Sequence, residues 1–256
     1  MLRVVEIDCF PGNQLNGKRR LEVPPQELEI VVIDHSENGK SDDSWFPLRA
    51  PHQLRRTLRW QRGLNFVASS ALLVGLAPMM VLIAAIVKLS SKGPAIYRQR
   101  RIGQFGMPIT IRKFRTMYHE CEKFSGPKWC VPGDPRITRI GYWLRKTHLD
   151  ELPQLWNVVR GEMSLVGPRP ERPEIGPTLV ENLPDYYERY IVLPGITGHA
   201  QIHLPPDQDV GDVRKKLQLD REYIQQMNCW FDLRTLVKTV FHALGWKKTS
   251  AATPEA

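Results

Sequence analysis

The longest apolar stretch of the chain covers residues 64–87, LNFVASSALLVGLAPMMVLIAAIV, and contains no charged side chain. A helix needs about 20 apolar residues to cross a bilayer, so this stretch is long enough for a membrane-inserted helix. A buried core helix is the competing interpretation, but core helices usually keep a polar face. Pro78 lies well inside the stretch and removes a helical hydrogen bond, which predicts a kink or break at that point.

Basic residues flank the apolar stretch on both sides. They are Arg55, Arg56, Arg59 and Arg62 upstream, and Lys88, Lys92, Arg98, Arg100 and Arg101 downstream. Because Lys and Arg near a membrane segment prefer the cytoplasmic side, a re-entrant helix that is broken at Pro78 and leaves by the face it entered suits both flanks. A kinked full crossing is the alternative, and the cations would bind anionic lipid headgroups in either topology.

The rest of the pattern predicts an α+β fold, mainly helical with a short β-hairpin. Two extended runs surround a turn at residues 103–106. Residues 139–146 suit a basic amphipathic helix, and a second helix is predicted over residues 150–160, just before a glycine. Helical spacing returns at residues 213–245.

This pattern divides the chain into four parts. Residues 1–50 form an N-terminal extension of unknown role, with a short predicted strand at residues 28–33. Residues 51–101 hold the basic flanks and the membrane helix, and residues 102–246 form the globular domain that would carry any catalysis. Residues 247–256 are predicted to be a disordered tail.

The charge balance restricts the class of partner. A net charge of +9, from 36 basic and 27 acidic residues, favours nucleic acid, acidic lipid or phosphorylated substrates. No nucleic-acid-binding module is recognisable, and the basic residues gather beside the apolar stretch, which argues against nucleic acid. The four cysteines show no metal-like spacing and are predicted to be reduced thiols.

Two adjacent carboxylates, Asp150 and Glu151, stand in the string HLDELPQLWN. With Asp150 as the N-cap, Pro153 falls in the first helical turn, where its missing N–H costs nothing. A capping box from Thr147 to Asp150 is the alternative, which sets Pro153 deeper in the helix at a greater cost. Acids at a helix N-terminus are stabilised by the dipole, which explains them without any function.

The surrounding Lys and Arg residues favour a catalytic interpretation of the same pair. One carboxylate can act as a nucleophile, while its neighbour holds a hard divalent cation or orients the acceptor. The nearby cations would stabilise a transferring phosphoryl group. A membrane anchor beside such a site suggests that one substrate is a lipid phosphate.

Several strings between residues 60 and 246 resemble one family. They are YRQRRIG, IRKFRTM, DPRITRIGYWLRKTHLDELPQLWNVVRGEMSLVGPRP, PGITGHAQI, LDREYI and WFDLRT. The family is the bacterial sugar transferases, which are monotopic polyprenyl-phosphate phosphoglycosyl transferases. The central string is long and specific, whereas residues 1–50 lie outside the resemblance.

The resemblance implies a re-entrant helix broken at Pro78 and a cytoplasmic catalytic domain at the bacterial inner membrane. It implies magnesium-dependent transfer of a sugar 1-phosphate from a UDP-sugar to undecaprenyl phosphate, with release of UMP, to initiate exopolysaccharide, capsule or other glycoconjugate synthesis. By position, Asp150 would attack the β-phosphate and carry the covalent phosphosugar. Glu151 would serve the magnesium site or help to activate the lipid phosphate. Three basic residues would line the phosphate region: Lys113, Arg115 and Arg169.

A catalytically silent, membrane-tethered scaffold or regulator of the same fold is the alternative function, and the intact acidic pair weighs against it. The expected partners are the UDP-sugar, undecaprenyl phosphate and inner-membrane lipid, with homo-oligomerisation left open. His199 and His203 are spaced by four, as zinc ligands can be. No third ligand is evident, so ordinary polar contacts are predicted for both.

Overall fold

The computed structural model describes residues 4–6, 20–22, 52–119, 121, 133–176, 179–180, 183–205 and 210–243. The α-helices are α1 His52–Ser90, α2 Arg139–Lys146, α3 Leu155–Val159, α4 His199–His203, α5 Val210–Gln226 and α6 Cys229–Ala243. Shorter 3-10 helices cover Gln104–Gly106, Leu149–Gln154 and Pro184–Ile191. The strands are β1 Val4–Glu6, β2 Arg20–Glu22, β3 Ile96–Ile102, β4 Pro108–Phe114, β5 Ser164–Val166 and β6 Gly195–Thr197. The fold is therefore α+β and mostly helical.

Helix α1 packs one stripe of side chains against the globular domain. Buried positions three or four residues apart, as expected for one helical face, occur in two groups on either side of the middle of the helix: Leu58, Gln61, Asn65 and Ser69, and then Ile83 and Val87. The other faces are apolar and exposed, and only 11% of the most apolar 18-residue window is buried. A core helix would be covered on all sides, so α1 is not a core helix.

Pro78 lies inside α1, on its exposed side. The helix runs from His52 to Ser90 without ending at the proline. A break in the sense of two separate helices is therefore not observed. A change of axis direction at Pro78 stays a prediction.

The β3–β4 hairpin and a short parallel pair frame the core. In the hairpin, Tyr97 lies directly opposite Lys113 and Arg101 opposite Ile109. The parallel pair joins β5 to β6. Asn65 of α1 donates to Ser164 Oγ at 2.9 Å at the start of β5. These contacts fix the first half of α1 to the same domain that packs on its second half.

Two clusters of buried apolar side chains form the interior. The larger one joins the hairpin to α3, β5 and α5 through Ile111, Val158, Val166 and Leu217. The smaller one joins Ile83 and Val87 of α1 to Phe114 and Leu144. Burial of this kind is the main favourable contribution to folding.

Most predicted elements of the globular domain are confirmed. The hairpin and the basic helix α2 form where the pattern predicted them. The helix predicted over residues 150–160 is instead a 3-10 turn followed by the short helix α3. The strand predicted at residues 28–33 and the tail at residues 247–256 lie outside the described residues.

Candidate active site

The acidic pair lies on the 3-10 helix Leu149–Gln154, here called the acidic turn. Helix α2 begins at the cap residue Thr138, whose Oγ1 accepts from the Gly141 N–H at 2.9 Å, and α2 ends just before the acidic turn. The turn starts at His148, a non-glycine residue with a φ of 56°. Left-handed backbone is unfavourable for such a residue, and this conformation directs the chain sharply into the turn.

The structure corrects the predicted cap. His148 occupies the N-cap position, so Asp150 and Glu151 both lie within the first turn rather than ahead of it. Pro153 is also inside the turn. With His148 as the cap, Pro153 is the fifth residue of the acidic turn, beyond the first turn, and its missing N–H removes one hydrogen bond of the 3-10 helix.

Glu151 is paired with two cations that reach it from different elements. Lys113, the penultimate residue of β4, places Nζ 2.6 Å from Glu151 Oε1. Arg169 places Nη2 3.0 Å from the same oxygen. Burial alone would raise the pKa of Glu151, but Arg169 and Lys113 outweigh it and hold the pKa far below its usual range. Glu151 is therefore ionised across the physiological pH range.

Asp150 has a different environment, although it is the adjacent residue. It is buried, yet its carboxylate accepts no hydrogen bond from the part of the chain that the structure describes. Burial, and then the negative charge of Glu151, raise the pKa of Asp150. The charges of Lys113, Arg145 and Arg169 act in the opposite direction. Among the described residues, Asp150 is thus a buried carboxylate without a hydrogen-bonding partner, which is the state expected of a reactive oxygen nucleophile.

Burial also affects the lysine of this cluster. It lowers the pKa of Lys113, while the charge of Glu151 raises it. The two groups stabilise each other's charged form at 2.6 Å. The pair consequently places a positive charge directly beside the acidic turn.

Arg169 is carried by the loop that follows β5, and close backbone contact fixes this loop. A Cβ added to Gly195 would lie 2.2 Å from the Gly167 nitrogen, so only glycine fits there. Behind the loop, the buried Arg189 donates from Nη2 to the Arg169 carbonyl oxygen at 3.0 Å. The side chain of Arg169 keeps 39% of its surface accessible, so it can contact a substrate as well as Glu151.

Arg189 belongs to a buried polar group, here called the Arg189 cluster: Glu171, Tyr186, Arg189 and Asp220. Arg189 Nη2 lies 2.9 Å from Asp220 Oδ2, and Nη1 lies 3.8 Å from Glu171 Oε2. Nη1 also contacts the Tyr186 hydroxyl, which donates to Glu171 Oε2 at 3.3 Å. The cluster supports the loop of Arg169 through the bond from Arg189 to the Arg169 carbonyl oxygen.

Two further arginines belong to the site's electrostatic environment. Arg101 donates to the Pro170 carbonyl oxygen at 3.1 Å, and burial together with the charge of Arg169 lowers its pKa to about 10. The sequence had assigned Arg101 to the membrane flank. Strand alternation was the available signal, since Arg101 lies on the same hairpin face as Lys113. Arg145 acts on Asp150 by charge and donates to Thr116 Oγ1 at 2.8 Å.

The place of Arg115 in the phosphate region stays a prediction, and the contacts of its side chain lie at the end of α1. Its guanidinium donates to the carbonyl oxygens of Val87 at 3.0 Å, Ser91 at 2.7 Å and Pro94 at 2.5 Å. The last turn of a helix leaves carbonyl groups without helical partners, and a cation there is favourable. Arg115 therefore secures the end of α1 to the hairpin.

The donor set limits how a divalent cation could bind. No group of three His, Cys, Asp or Glu side chains suited to a metal occurs among the described residues. Magnesium usually binds through one or two carboxylates together with substrate phosphates, so a site of this kind does not require three protein ligands. Both hydrogen bonds that Glu151 accepts from the described residues use Oε1, which leaves Oε2 for a cation as far as this part of the chain is concerned. The residues present thus fit a magnesium ion shared with a phosphorylated substrate.

The histidine pair of α4 makes polar and aromatic contacts. His203 Nδ1 lies 2.8 Å from the His199 carbonyl oxygen, and His199 Nε2 lies 3.6 Å from Glu222 Oε2. The His199 ring also contacts Phe231. Partial burial and the neighbouring His203 lower the pKa of His199.

Comparison with known proteins places the chain in a family. The family model for bacterial sugar transferases matches residues 56–245, which is most of the chain. The protein belongs to the bacterial sugar transferase family. The match includes α1, the hairpin, the acidic turn and the loop of Arg169.

Three relatives illustrate the range of the family. The chain is 41% identical over 185 residues to a Komagataeibacter xylinus protein named undecaprenyl-phosphate glucose phosphotransferase, covering 70% of this chain and 35% of that protein. It is 37% identical over 180 residues to an Aeromonas hydrophila protein named UDP-N-acetylgalactosamine-undecaprenyl-phosphate N-acetylgalactosaminephosphotransferase, covering 70% and 42%. It is 40% identical over 184 residues to the exopolysaccharide production protein PSS of Rhizobium leguminosarum, covering 70% and 92%. The chain therefore spans less than half of the first two relatives and nearly all of the third.

Proposed function

We propose that this protein is a phosphoglycosyl transferase that moves a sugar 1-phosphate from a UDP-sugar to undecaprenyl phosphate and releases UMP. The reaction would initiate exopolysaccharide or related glycoconjugate synthesis. The observation that carries the proposal is the contrast within the acidic turn: Glu151 is paired with Lys113 and Arg169, whereas none of the described residues donates a hydrogen bond to the Asp150 carboxylate. The relatives' names supply the lipid acceptor and the candidate donors.

In the first step, one Asp150 oxygen attacks the β-phosphorus of the UDP-sugar. A new Asp–O–P bond forms, the bond from the β-phosphorus to the bridging oxygen breaks, and UMP leaves with that oxygen. In the second step, a phosphate oxygen of undecaprenyl phosphate attacks the same phosphorus. The Asp–O–P bond breaks, the Asp150 carboxylate is regenerated, and the sugar diphosphate lipid is released.

The cations of the site stabilise charge during both displacements. Lys113 and the accessible part of Arg169 stand beside the acidic pair, where negative charge spreads over the phosphoryl oxygens. Arg145 adds a third positive charge that acts on Asp150. Glu151 holds Lys113 and Arg169 in place.

Magnesium is the expected cofactor, and Glu151 Oε2 is the protein atom that would hold it together with the substrate phosphates. When bound, the ion would neutralise charge on the diphosphate. A role for Glu151 in activating the lipid phosphate is the alternative. Its pKa, far below the usual range, makes Glu151 a poor proton acceptor near neutral pH, so we favour the metal role.

We also propose that α1 enters the inner membrane from the cytoplasm and returns to the same side. Leu58 and Asn65 in its first half, and Ile83 and Val87 in its second, are buried against one globular domain. A straight crossing would leave the two helix ends on opposite sides of the bilayer, where one domain could not contact both. Pro78 lies on the exposed side, so a proline bend there would turn the helix toward the domain.

Release of UMP by the detergent-solubilised protein tests the reaction. The assay would supply magnesium, undecaprenyl phosphate and a panel of UDP-sugars that includes UDP-glucose and UDP-N-acetylgalactosamine. We expect lipid-dependent release with one donor. No release with any donor would favour the silent scaffold. Tags at residues 1 and 256, both protected from external protease, would support the re-entrant topology, and protection of only one tag would overturn it.

A further inference from the structure

Arg101 is a partly buried cation whose hydrogen-bond partners among the described residues are all neutral. Its Nε and Nη2 donate to Gln99 Oε1 at 3.2 and 2.8 Å, and its Nη1 donates to the Pro170 carbonyl oxygen at 3.1 Å. A guanidinium carries five N–H donors, so Nη1 and Nη2 each keep one N–H for which this part of the chain supplies no acceptor. Arg101 can therefore bind a further group.

The charges around Arg101 favour an anion as that group. Burial, and then the charges of Arg169 and Arg172, lower the pKa of Arg101. The charge of Glu171 acts in the opposite direction, but its carboxylate lies 3.8 Å from Arg189 and belongs to the Arg189 cluster. A partly buried cation beside other cations is stabilised by a negative charge. Because the described residues form no ion pair with Arg101, we expect a substrate to supply that charge.

The hairpin places Arg101 on the side of the acidic turn. Its register sets Arg101 and Lys113 on one face, four residues apart along the strands, which is about 13 Å between backbone positions. Arg169 interacts with both ends of this face. Its Nη2 is bonded to Glu151, the partner of Lys113, and its neighbour Pro170 accepts from Arg101. The three cations thus form a row that leads from the acidic turn along the hairpin.

The two displacements of the proposed reaction need a phosphate position beside the reacting phosphorus. In-line phosphoryl transfer sets the entering and leaving oxygen atoms on opposite sides of the phosphorus. Asp150 enters in the first step and leaves in the second, so the lipid phosphate must approach from the side on which UMP left. The α-phosphate of the nucleotide and the phosphate of the lipid therefore occupy the same place in turn.

We propose that Arg101 and Arg169 form this second phosphate subsite, which holds first the α-phosphate of the UDP-sugar and then the phosphate of undecaprenyl phosphate. This inference rests on the proposed function. The planar guanidinium can donate to two phosphate oxygens at once, and such charge-assisted bonds are the strong ones. Lys113 stays with Glu151 beside the reacting β-phosphate. One subsite can serve a nucleotide and a lipid because both present a phosphate to it.

Arg101→Met tests the subsite, with Arg214→Met as the matched control at an exposed position of α5. Three quantities are measured on each detergent-solubilised protein: the KM for the UDP-sugar, the KM for undecaprenyl phosphate, and the rate at which the covalent intermediate reacts with water. For the third, the protein is loaded with the UDP-sugar without lipid and separated from UMP, and release of sugar 1-phosphate is followed. Water brings no second phosphate, so this rate reports on the reacting phosphorus alone.

We expect both KM values of Arg101→Met to rise roughly ten- to a hundredfold, as for the loss of a hydrogen bond between charged groups, while the hydrolysis rate stays within about twofold. Arg101→Lys keeps the charge without the planar fork and should raise both KM values by a smaller common factor. Arg214→Met should match the unsubstituted protein in all three quantities.

Three results would overturn the subsite. Hydrolysis that slows as much as the KM values rise would mean that Arg101 acts only by holding the loop of Arg169 through the Pro170 carbonyl oxygen. A rise in the KM for the UDP-sugar alone would exclude a shared position, and unchanged KM values would exclude contact with either phosphate. If Arg101→Met lacks a cooperative thermal transition, Arg101→Lys decides by the same criteria. Absence of UMP release by the unsubstituted protein with every donor would instead overturn the proposed function, and the subsite with it.

Discussion

The acidic turn and the Arg189 cluster both place carboxylates beside buried cations, but they leave those acids in different states. In the cluster, Asp220 lies 2.9 Å from Arg189, and Glu171 accepts from the Tyr186 hydroxyl. In the acidic turn, Glu151 is bonded to both Lys113 and Arg169, while Asp150 accepts no hydrogen bond from the described residues. The acids that hold a buried cation in place are bonded to it or to a neighbouring hydroxyl group. The buried acid of the turn that accepts no hydrogen bond from the described residues, Asp150, is the proposed nucleophile.

The strongest test of this difference is Asp150→Asn. We expect turnover to fall by at least about a thousandfold, since the nucleophile is removed. Folding should not suffer: the folded state holds the Asp150 proton more tightly than the unfolded chain does, so ionisation costs stability once the pH rises above about 3.8. UMP release measures the loss of turnover, and a thermal unfolding scan at neutral pH measures the stability of the variant. A large fall in the unfolding temperature would contradict the account.

Glu151→Gln should reduce both activity and stability. Lys113 and Arg169 would lose their shared carboxylate, and we expect turnover to fall roughly a hundredfold. The free energy of unfolding should drop by about 2–3 kcal/mol, at the low end for a broken buried pair because Arg169 is 39% exposed. UMP release and a thermal unfolding scan measure the two effects. Unchanged stability with lost activity would show that Glu151 is not needed to hold the two cations.

The pH dependence separates the two acids without any mutation. Asp150 must be ionised to attack, and its pKa is raised, so kcat/KM should fall about tenfold per pH unit below a pKa higher than that of an ordinary aspartate. The pKa of Glu151 lies far below its usual range and should add no second acid limb. Initial rates of UMP release between pH 4 and 8 provide the test. Rates independent of pH down to the ordinary aspartate range would contradict the raised pKa.

Asp220→Asn is the matched control in the other region, with the same chemical change. Arg189 would lose a charged partner in a buried site, and the free energy of unfolding should fall by about 3 kcal/mol, or about 10 °C in unfolding temperature. Turnover per folded molecule, measured well below that temperature, should stay within about threefold. A fall in turnover as large as that of Asp150→Asn would contradict the proposed difference between the acidic turn and the Arg189 cluster.

The smallest expected effect on catalysis is that of Arg115→Met. The bonds from Arg115 to the last turn of α1 would be lost, which should lower the unfolding temperature by a few degrees. The KM for the UDP-sugar should change less than about twofold. A large increase in that KM would support a place for Arg115 in the phosphate region.

The contacts of Arg115 show what could not be predicted from the sequence, namely where its side chain points. Lys113 and Arg115 are two residues apart, which would put both on one face of a strand. Strand β4 ends at Phe114, however; the Arg115 N–H still donates to the Ala95 carbonyl oxygen at 2.8 Å, but its guanidinium turns to α1. By contrast, helix α2 was predictable to the residue, because its amphipathic spacing is local and its cap is a threonine.

The electrostatic states of the acidic pair and the orientation of α6 were harder to predict from the sequence, for related reasons. The resemblance singled out Asp150 and Glu151, but their opposite electrostatic states depend on Lys113 and Arg169, which arrive from distant parts of the chain. The turn begins with a left-handed histidine, for which the residue pattern gives no signal. For α6, helical spacing indicates a helix but not which face points inward, and Asp232 points inward because Gln61 and Tyr223 meet it there.

Trapping the covalent intermediate tests the central claim most directly. The protein would be incubated with magnesium and the active UDP-sugar without lipid acceptor, then digested and examined by mass spectrometry. We predict one sugar phosphate on the peptide that contains Asp150, lost on addition of undecaprenyl phosphate and absent from Asp150→Asn. Turnover in the presence of lipid, with no labelled peptide or with the label on another residue, would contradict the assignment of Asp150 as the nucleophile.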